Sequence, residues 1–239
     1  MPRYTEKLFS EVSVQENILY ATAPGYDQAH TETPLCLDVY SPAGDTKKNR
    51  RAIIFVHGGG FVKCDKQQSY IVTLCTVMAQ YGYVCFSPDY RLFPVDHRPS
   101  LQEAACSTVQ DVEAVRCFIQ AHAEEYGIDP EEIAIGGGSA GGMATLEACK
   151  VYPRYFAYIN LWGAYLNAAP ADIYPPTLVI HGTADKLVPV EQGRAFFARL
   201  QEKGIPSQLV ILQDAPHTAI QWLPEYEDTM VKFLDQHAQ

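Results

Sequence analysis

Apolar positions in this chain fall into two alternating kinds of run. Short, nearly continuous runs at Arg51–Val56, Tyr83–Ser87, Ile133–Ile135, Tyr158–Trp162, Thr177–Ile180 and Gln208–Leu212 read as strands, the unbroken ones covered on both faces. Between them, Tyr70–Gln80, Pro99–Tyr126, Met143–Lys150, Glu191–Lys203 and Ile220–His237 read as helices, with an amphipathic pattern clearest in the long Pro99–Tyr126 stretch. Ahead of them, Phe9–Val14 and Leu35–Tyr40 alternate apolar with polar residues. They predict two antiparallel strands joined by a polar segment containing Pro and Gly. Strands alternating with helices specify an α/β layer fold with a mainly parallel central sheet flanked by helices. A length of 239 residues suits one sizeable core and is short for two, so a single domain over residues 1–239 is expected.

The sharpest feature is Ile133-Ala134-Ile135-Gly136-Gly137-Gly138-Ser139-Ala140-Gly141-Gly142. A strand runs into a glycine cluster and a helix follows at once, so Ser139 sits in a G-x-S-x-G turn with Gly137 and Gly141 where strand and helix backbones approach closely. The same residues spell G-x-G-x-x-G, but the next strand, Phe156–Trp162, ends without the Asp or Glu that a dinucleotide ribose needs. No Lys-Ser or Lys-Thr follows the glycines as in a P-loop. No cofactor is expected.

Ligands of such sheets bind beyond the carboxyl ends of the strands. That rule gathers His57-Gly58-Gly59-Gly60, the Ser139 turn, His181-Gly182-Thr183-Ala184-Asp185 and Pro216-His217 at one edge. A serine hydroxyl needs a base, and the base needs an acid to fix its tautomer. Asp185 and His217 follow Ser139 in the order Ser, acid, His, each just past a strand. Of the competitors, Asp214 shares a loop with His217, Asp172 precedes its strand, His181 reads as a packed histidine, and His122 and His237 sit on helices among charges. Glycines at 58–60 allow backbone N–H groups to face a carbonyl oxygen. Gly58, Gly59 and Ala140 are the expected oxyanion donors.

Composition narrows the classes further. A net charge of −10 without any Lys/Arg block argues against a nucleic-acid surface. No apolar run approaches a membrane span, no apolar leader follows Met1, and no metal-ligand spacing occurs, so neither membrane nor metal is expected. Seven cysteines, mostly within apolar runs, predict free buried thiols and a cytoplasmic location.

These motifs resemble the α/β-hydrolase superfamily, in its HGGG-bearing esterase branch related to hormone-sensitive lipase and bacterial carboxylesterases. The likeness includes Asp89-Tyr90-Arg91-Leu92, Gly127-Ile128-Asp129-Pro130 and the acid loop His181–Asp185 followed by Val188-Pro189. It implies a serine carboxylester hydrolase for short-chain or aryl esters, acting through Ser139, His217 and Asp185. The alternatives are an arylformamidase or peptidase on the same machinery, or a small-molecule receptor on the same fold. The chain departs from the family where Thr218-Ala219, not Gly-Phe, follows the histidine. The connection Gly163–Pro176 is short and rich in Pro and Ala where relatives carry a helical cover, so little or no lid is expected.

Overall fold

The computed structural model describes residues 3–166 and 173–239. In chain order these form β1 (Val12–Pro24), β2 (Glu32–Pro42), β3 (Arg50–Val56), α1 (Ser69–Gln80), β4 (Val84–Pro88), α2 (Leu101–Ala121), α3 (Ala123–Tyr126), β5 (Ile128–Gly138) and α4 (Ala140–Val151). There follow β6 (Tyr158–Leu161), β7 (Thr177–Gly182), α5 (Val190–Glu202), β8 (Ser207–Leu212) and α6 (Leu223–His237). The strands make one sheet in the order β1-β2-β4-β3-β5-β6-β7-β8. β2 runs antiparallel to β1 and β4, and every pairing from β4 to β8 is parallel. This is the mainly parallel α/β sheet that the run pattern predicts, in the α/β-hydrolase architecture that the resemblance implies.

β3 shows why a continuous apolar run was needed. Ala52, Ile54 and Val56 enter the core beneath α2, α4 and α5, while Ile53 and Phe55 point to the opposite core under α1 and α6. Successive side chains face opposite ways, so a strand with helices on both sides has no polar position to spare.

β5 starts at Ile128, five residues before the expected strand, and three further elements differ from the sequence expectation. β1 spans Val12–Pro24 instead of Phe9–Val14; it is an edge strand, mostly exposed, and register shifts between Gln15 and Ile18 and between Leu19 and Ala21 interrupt its alternation. The helix expected over Pro99–Tyr126 begins at a capping box between Ser100 and Glu103 and divides at His122, whose backbone leaves helical geometry. At the C-terminus, Ile220–Trp222 is a 3₁₀ turn, and α6 begins only at Leu223 with Pro224 in its first turn.

All seven cysteines are free, but only Cys75, Cys85 and Cys149 are buried. Cys106 and Cys117 lie three turns apart on the outer face of α2, an amphipathic helix whose apolar side alone is covered. Residues 163–166 and 173–176 carry no helix, and the rest of the connection expected to lack a lid, 167–172, lies outside the described residues. Among the described residues no helix is long and apolar enough to cross a membrane.

Candidate active site

Ser139 sits at the tip of β5 with φ 56° and ψ −121°, a strained conformation for a residue with a side chain. The neighbours explain how it is held. A Cβ built on Gly141 would stand 2.1 Å from the Val56 carbonyl oxygen, and one on Gly137 would stand 2.5 Å from the Gly141 carbonyl carbon. Only hydrogen fits at either position. The Ser139 N–H donates to the Leu161 oxygen (3.0 Å), tying the turn to β6. α4 starts at Ala140, so its first amides lack intrahelical partners and its positive end faces the serine.

Asp185 follows β7, and its carboxylate is fully buried yet satisfied. Oδ1 accepts the N–H groups of Leu187 and Val188, both at 2.9 Å. Oδ2 accepts from Nδ1 of His217 at 2.7 Å, which leaves Nε2 of that imidazole as a proton acceptor. His217 lies beyond β8, and its side chain keeps 13% exposure. His217 and Ser139 line the same cavity of about 560 Å³ at the carboxyl edge of the sheet.

The competing residues occupy other roles. Asp214 is exposed, accepts from Gln213 at 2.9 Å and has its N–H held by Thr183. Asp172 lies outside the described residues. His122 bonds the Phe118 oxygen, and His237 packs against Phe233 at the end of α6. His181 is wholly buried; its Nε2 donates to the Val188 oxygen (2.8 Å) and lies 3.3 Å from Asp185 Oδ2, bracing the acid loop. Trp162 is fully buried, in edge contact with Tyr70, so it supports the floor and is not available to stack on a ligand.

The glycine loop after β3 is held from beneath. His57 is buried, donates from Nδ1 to the Gly58 oxygen (2.8 Å) and stacks on Tyr90. Burial pushes its imidazole down to about 4, so the ring is neutral at physiological pH. The Tyr90 hydroxyl reaches the His57 and Gly58 oxygens, Asp89 accepts the Lys66 N–H, and Arg91 pairs with buried Asp111. The Asp-Tyr-Arg-Leu segment is therefore a brace for this loop. Gly59 has φ +105°, and a Cβ there would stand 2.0 Å from the Lys63 oxygen. Of the expected donors, the Gly58 N–H already donates to Oε1 of Gln68 at 2.9 Å. Gln68 was invisible to motif reading, because a glutamine ten residues downstream in an irregular loop carries no pattern. Among the described residues no cluster of three or more His, Cys, Asp or Glu is placed to hold a metal ion.

Comparison with known proteins bears on the family and the fold. The BD-FAE family model matches residues 37–156, half of the chain, and the prolyl oligopeptidase family model matches residues 160–239. A probable carboxylic ester hydrolase, LipM, of Mycobacterium tuberculosis is 27% identical over 70% of this chain and 48% of its own length. Neutral cholesterol ester hydrolase 1 of Mus musculus is 36% identical over 39% of this chain and 22% of its own. The chain spans about half or less of the length of the curated relatives it matches. Among solved structures, Thermogutta terrifontis esterase 2 phosphorylated by paraoxon superposes with a TM-score of 0.69 at 25% identity, covering 95% of this chain and 94% of that one. MGS-M1, an α/β hydrolase from a deep-sea metagenome, reaches 0.72 at 18% identity over 95% of this chain and 100% of that one. Motifs, topology and the BD-FAE match together make this chain a member of the α/β-hydrolase esterase superfamily, within the BD-FAE family.

Proposed function

We propose that this protein is a serine carboxylester hydrolase for short-chain, acetyl-like or aryl esters. One observation carries the reading: the 2.7 Å His217–Asp185 bond holds a histidine in the proton-accepting tautomer, in the same cavity as a serine on a strained strand-to-helix turn. Ser139 Oγ adds to the ester carbonyl carbon as His217 Nε2 takes its proton, and buried Asp185 stabilises the imidazolium that forms. The carbonyl oxygen becomes an oxyanion beside the Ala140 and Gly59 N–H groups, with the Gly58 N–H joining once Gln68 yields it. Collapse expels the alcohol, protonated by His217, and leaves an acyl-serine. Water, deprotonated by His217, attacks the acyl carbon and releases the acid and Ser139.

The relatives support the choice of ester chemistry. LipM is named a probable carboxylic ester hydrolase, and the Thermogutta esterase is phosphorylated by paraoxon and has been solved with propionate and butyrate bound. A cytoplasmic location belongs to the same proposal, supported by seven unpaired thiols, which persist in a reducing compartment. Hydrolysis of p-nitrophenyl acetate that disappears in Ser139→Ala tests the proposal; undiminished turnover in that variant refutes it.

A second reading rests on the prolyl oligopeptidase match, which contains both Asp185 and His217. The same triad cleaves amides where the leaving amine is accommodated. Rates on p-nitroanilides, formanilides and matched p-nitrophenyl esters separate peptidase, formamidase and esterase.

A further inference from the structure

The cavity above Ser139 has a charge character opposite to that of the whole chain. The protein carries 28 acidic against 18 basic residues, yet the charged side chains lining this cavity, among the described residues, are Lys63 and Arg98, and no carboxylate lines it. At least ten of the chain's lysines and arginines sit in ion pairs within the protein. Among the described residues neither Lys63 nor Arg98 has a carboxylate within ion-pair distance. Asp185, the acid nearest the chemistry, has a fully buried carboxylate already committed to Leu187, Val188 and His217.

Position adds to charge. Lys63 abuts the glycine loop after β3, and Arg98 stands in the connection between β4 and α2. In the sheet, β4 and β3 lie on one side of β5 and Ser139, whereas β7 and β8, which lead to Asp185 and His217, lie on the other. The segments that carry both cations thus follow strands on the side of β5 opposite to those that lead to Asp185 and His217, and both line the cavity of Ser139. Val62, Val95 and Leu187 supply apolar lining in the same cavity, and Val95 and Leu187 are each about three-quarters exposed.

Resting on the esterase reading above, the geometry points to a preference for anionic esters: a short aliphatic or aryl body against Val95 and Leu187, with a carboxylate held by Lys63 and Arg98. Half-esters of dicarboxylic acids carry that charge on the acyl side, and O-acylated hydroxybenzoates carry it on the alcohol side. Both present the same chemistry to the two cations.

The test measures kcat/KM for mono-p-nitrophenyl glutarate against p-nitrophenyl pentanoate, and for 4-acetoxybenzoate against its methyl ester. The readout is the anionic-to-neutral ratio in wild type divided by that in Lys63→Gln, Arg98→Gln and the double variant, so intrinsic reactivity cancels. Exposed ion pairs of this kind predict a quotient of roughly two to five for each cation and roughly ten for the double variant, larger in Lys63→Glu. In the unmodified enzyme the ratio should also fall between 20 and 500 mM salt, a measurement independent of any variant's folding. The acyl pair moving alone places the carboxylate on the acyl side, and the alcohol pair moving alone places it on the other. Ratios unmoved in the double variant and insensitive to salt, while Ser139-dependent turnover of neutral esters persists, would overturn the anionic preference alone. Absence of Ser139-dependent turnover of every ester would overturn the esterase reading beneath it.

Discussion

Replacing Asp185 by Asn tests whether the acid acts by fixing a tautomer. Oδ1 accepts two backbone N–H groups, from Leu187 and Val188, so a carboxamide must place its oxygen there and its NH₂ where Oδ2 now stands. That NH₂ then faces His217 Nδ1 at 2.7 Å and His181 Nε2 at 3.3 Å. A donor opposite Nδ1 turns that nitrogen into an acceptor and sends its proton to Nε2, where the serine proton must go. Flipping the amide only exchanges this fault for an NH₂ facing two backbone donors. The expected loss in kcat is roughly 10³- to 10⁴-fold, equivalent to about 4 to 5.5 kcal/mol of transition-state stabilisation. Initial rates on p-nitrophenyl acetate from pH 6 to 9, with KM measured alongside, are the assay, and KM should change far less than kcat. Asp214→Asn is the control, since Asp214 is an exposed loop residue bonded to Gln213. A kcat for Asp185→Asn within tenfold of wild type, or a larger loss in Asp214→Asn, refutes the reasoning.

Gly141→Ala forces a methyl to 2.1 Å from the Val56 oxygen, so thermal denaturation should show a loss of about 3 kcal/mol or more, a fall in Tm of roughly 6 to 12 °C, with activity reduced at least 100-fold. His57 concerns pH: its folded value of about 4 lies below the ordinary 6.5, so the unfolded chain binds this proton first. The resulting stability is full above about 6.5 and lost as pH falls toward about 4. Urea denaturation should therefore show His57→Gln losing about 2 to 3 kcal/mol less than wild type between pH 7 and 4.5; equal losses contradict this. Across p-nitrophenyl esters, a cavity whose apolar lining includes the largely exposed Val95 and Leu187 offers little surface to bury a long acyl chain, so kcat/KM should peak at acetate to butyrate and fall beyond about six carbons, whereas a rise through decanoate would reveal an apolar groove.

The candidate site was legible in the sequence wherever a residue type is forced by backbone contact or chain order. Gly137 and Gly141 have no room for a Cβ, and the order Ser139, Asp185, His217 follows from which strand ends they occupy. The buried strands were equally plain, since β3 must be apolar on both faces. β1 was cut short because an edge strand exposed along most of its length, with two register shifts, shows no sustained period of two. The division of the long helix at His122 was also hidden, because helical spacing continues through Phe118 and Tyr126 even though the backbone turns between them. The Gln68 bond to Gly58 and the His181 contact with Asp185 depend on where loops meet in space. Spacing along the chain says nothing about either.

The most direct test of the central claim is covalent labelling. Paraoxon or a fluorophosphonate phosphorylates a serine only when a neighbouring base activates it, so intact-mass measurement followed by peptide mapping reads the nucleophile itself. One label per chain on Ser139, abolished in Ser139→Ala and slowed at least 100-fold in His217→Ala, is the predicted result. A label on another serine, or none on a folded protein over hours at pH 8, would contradict the assignment.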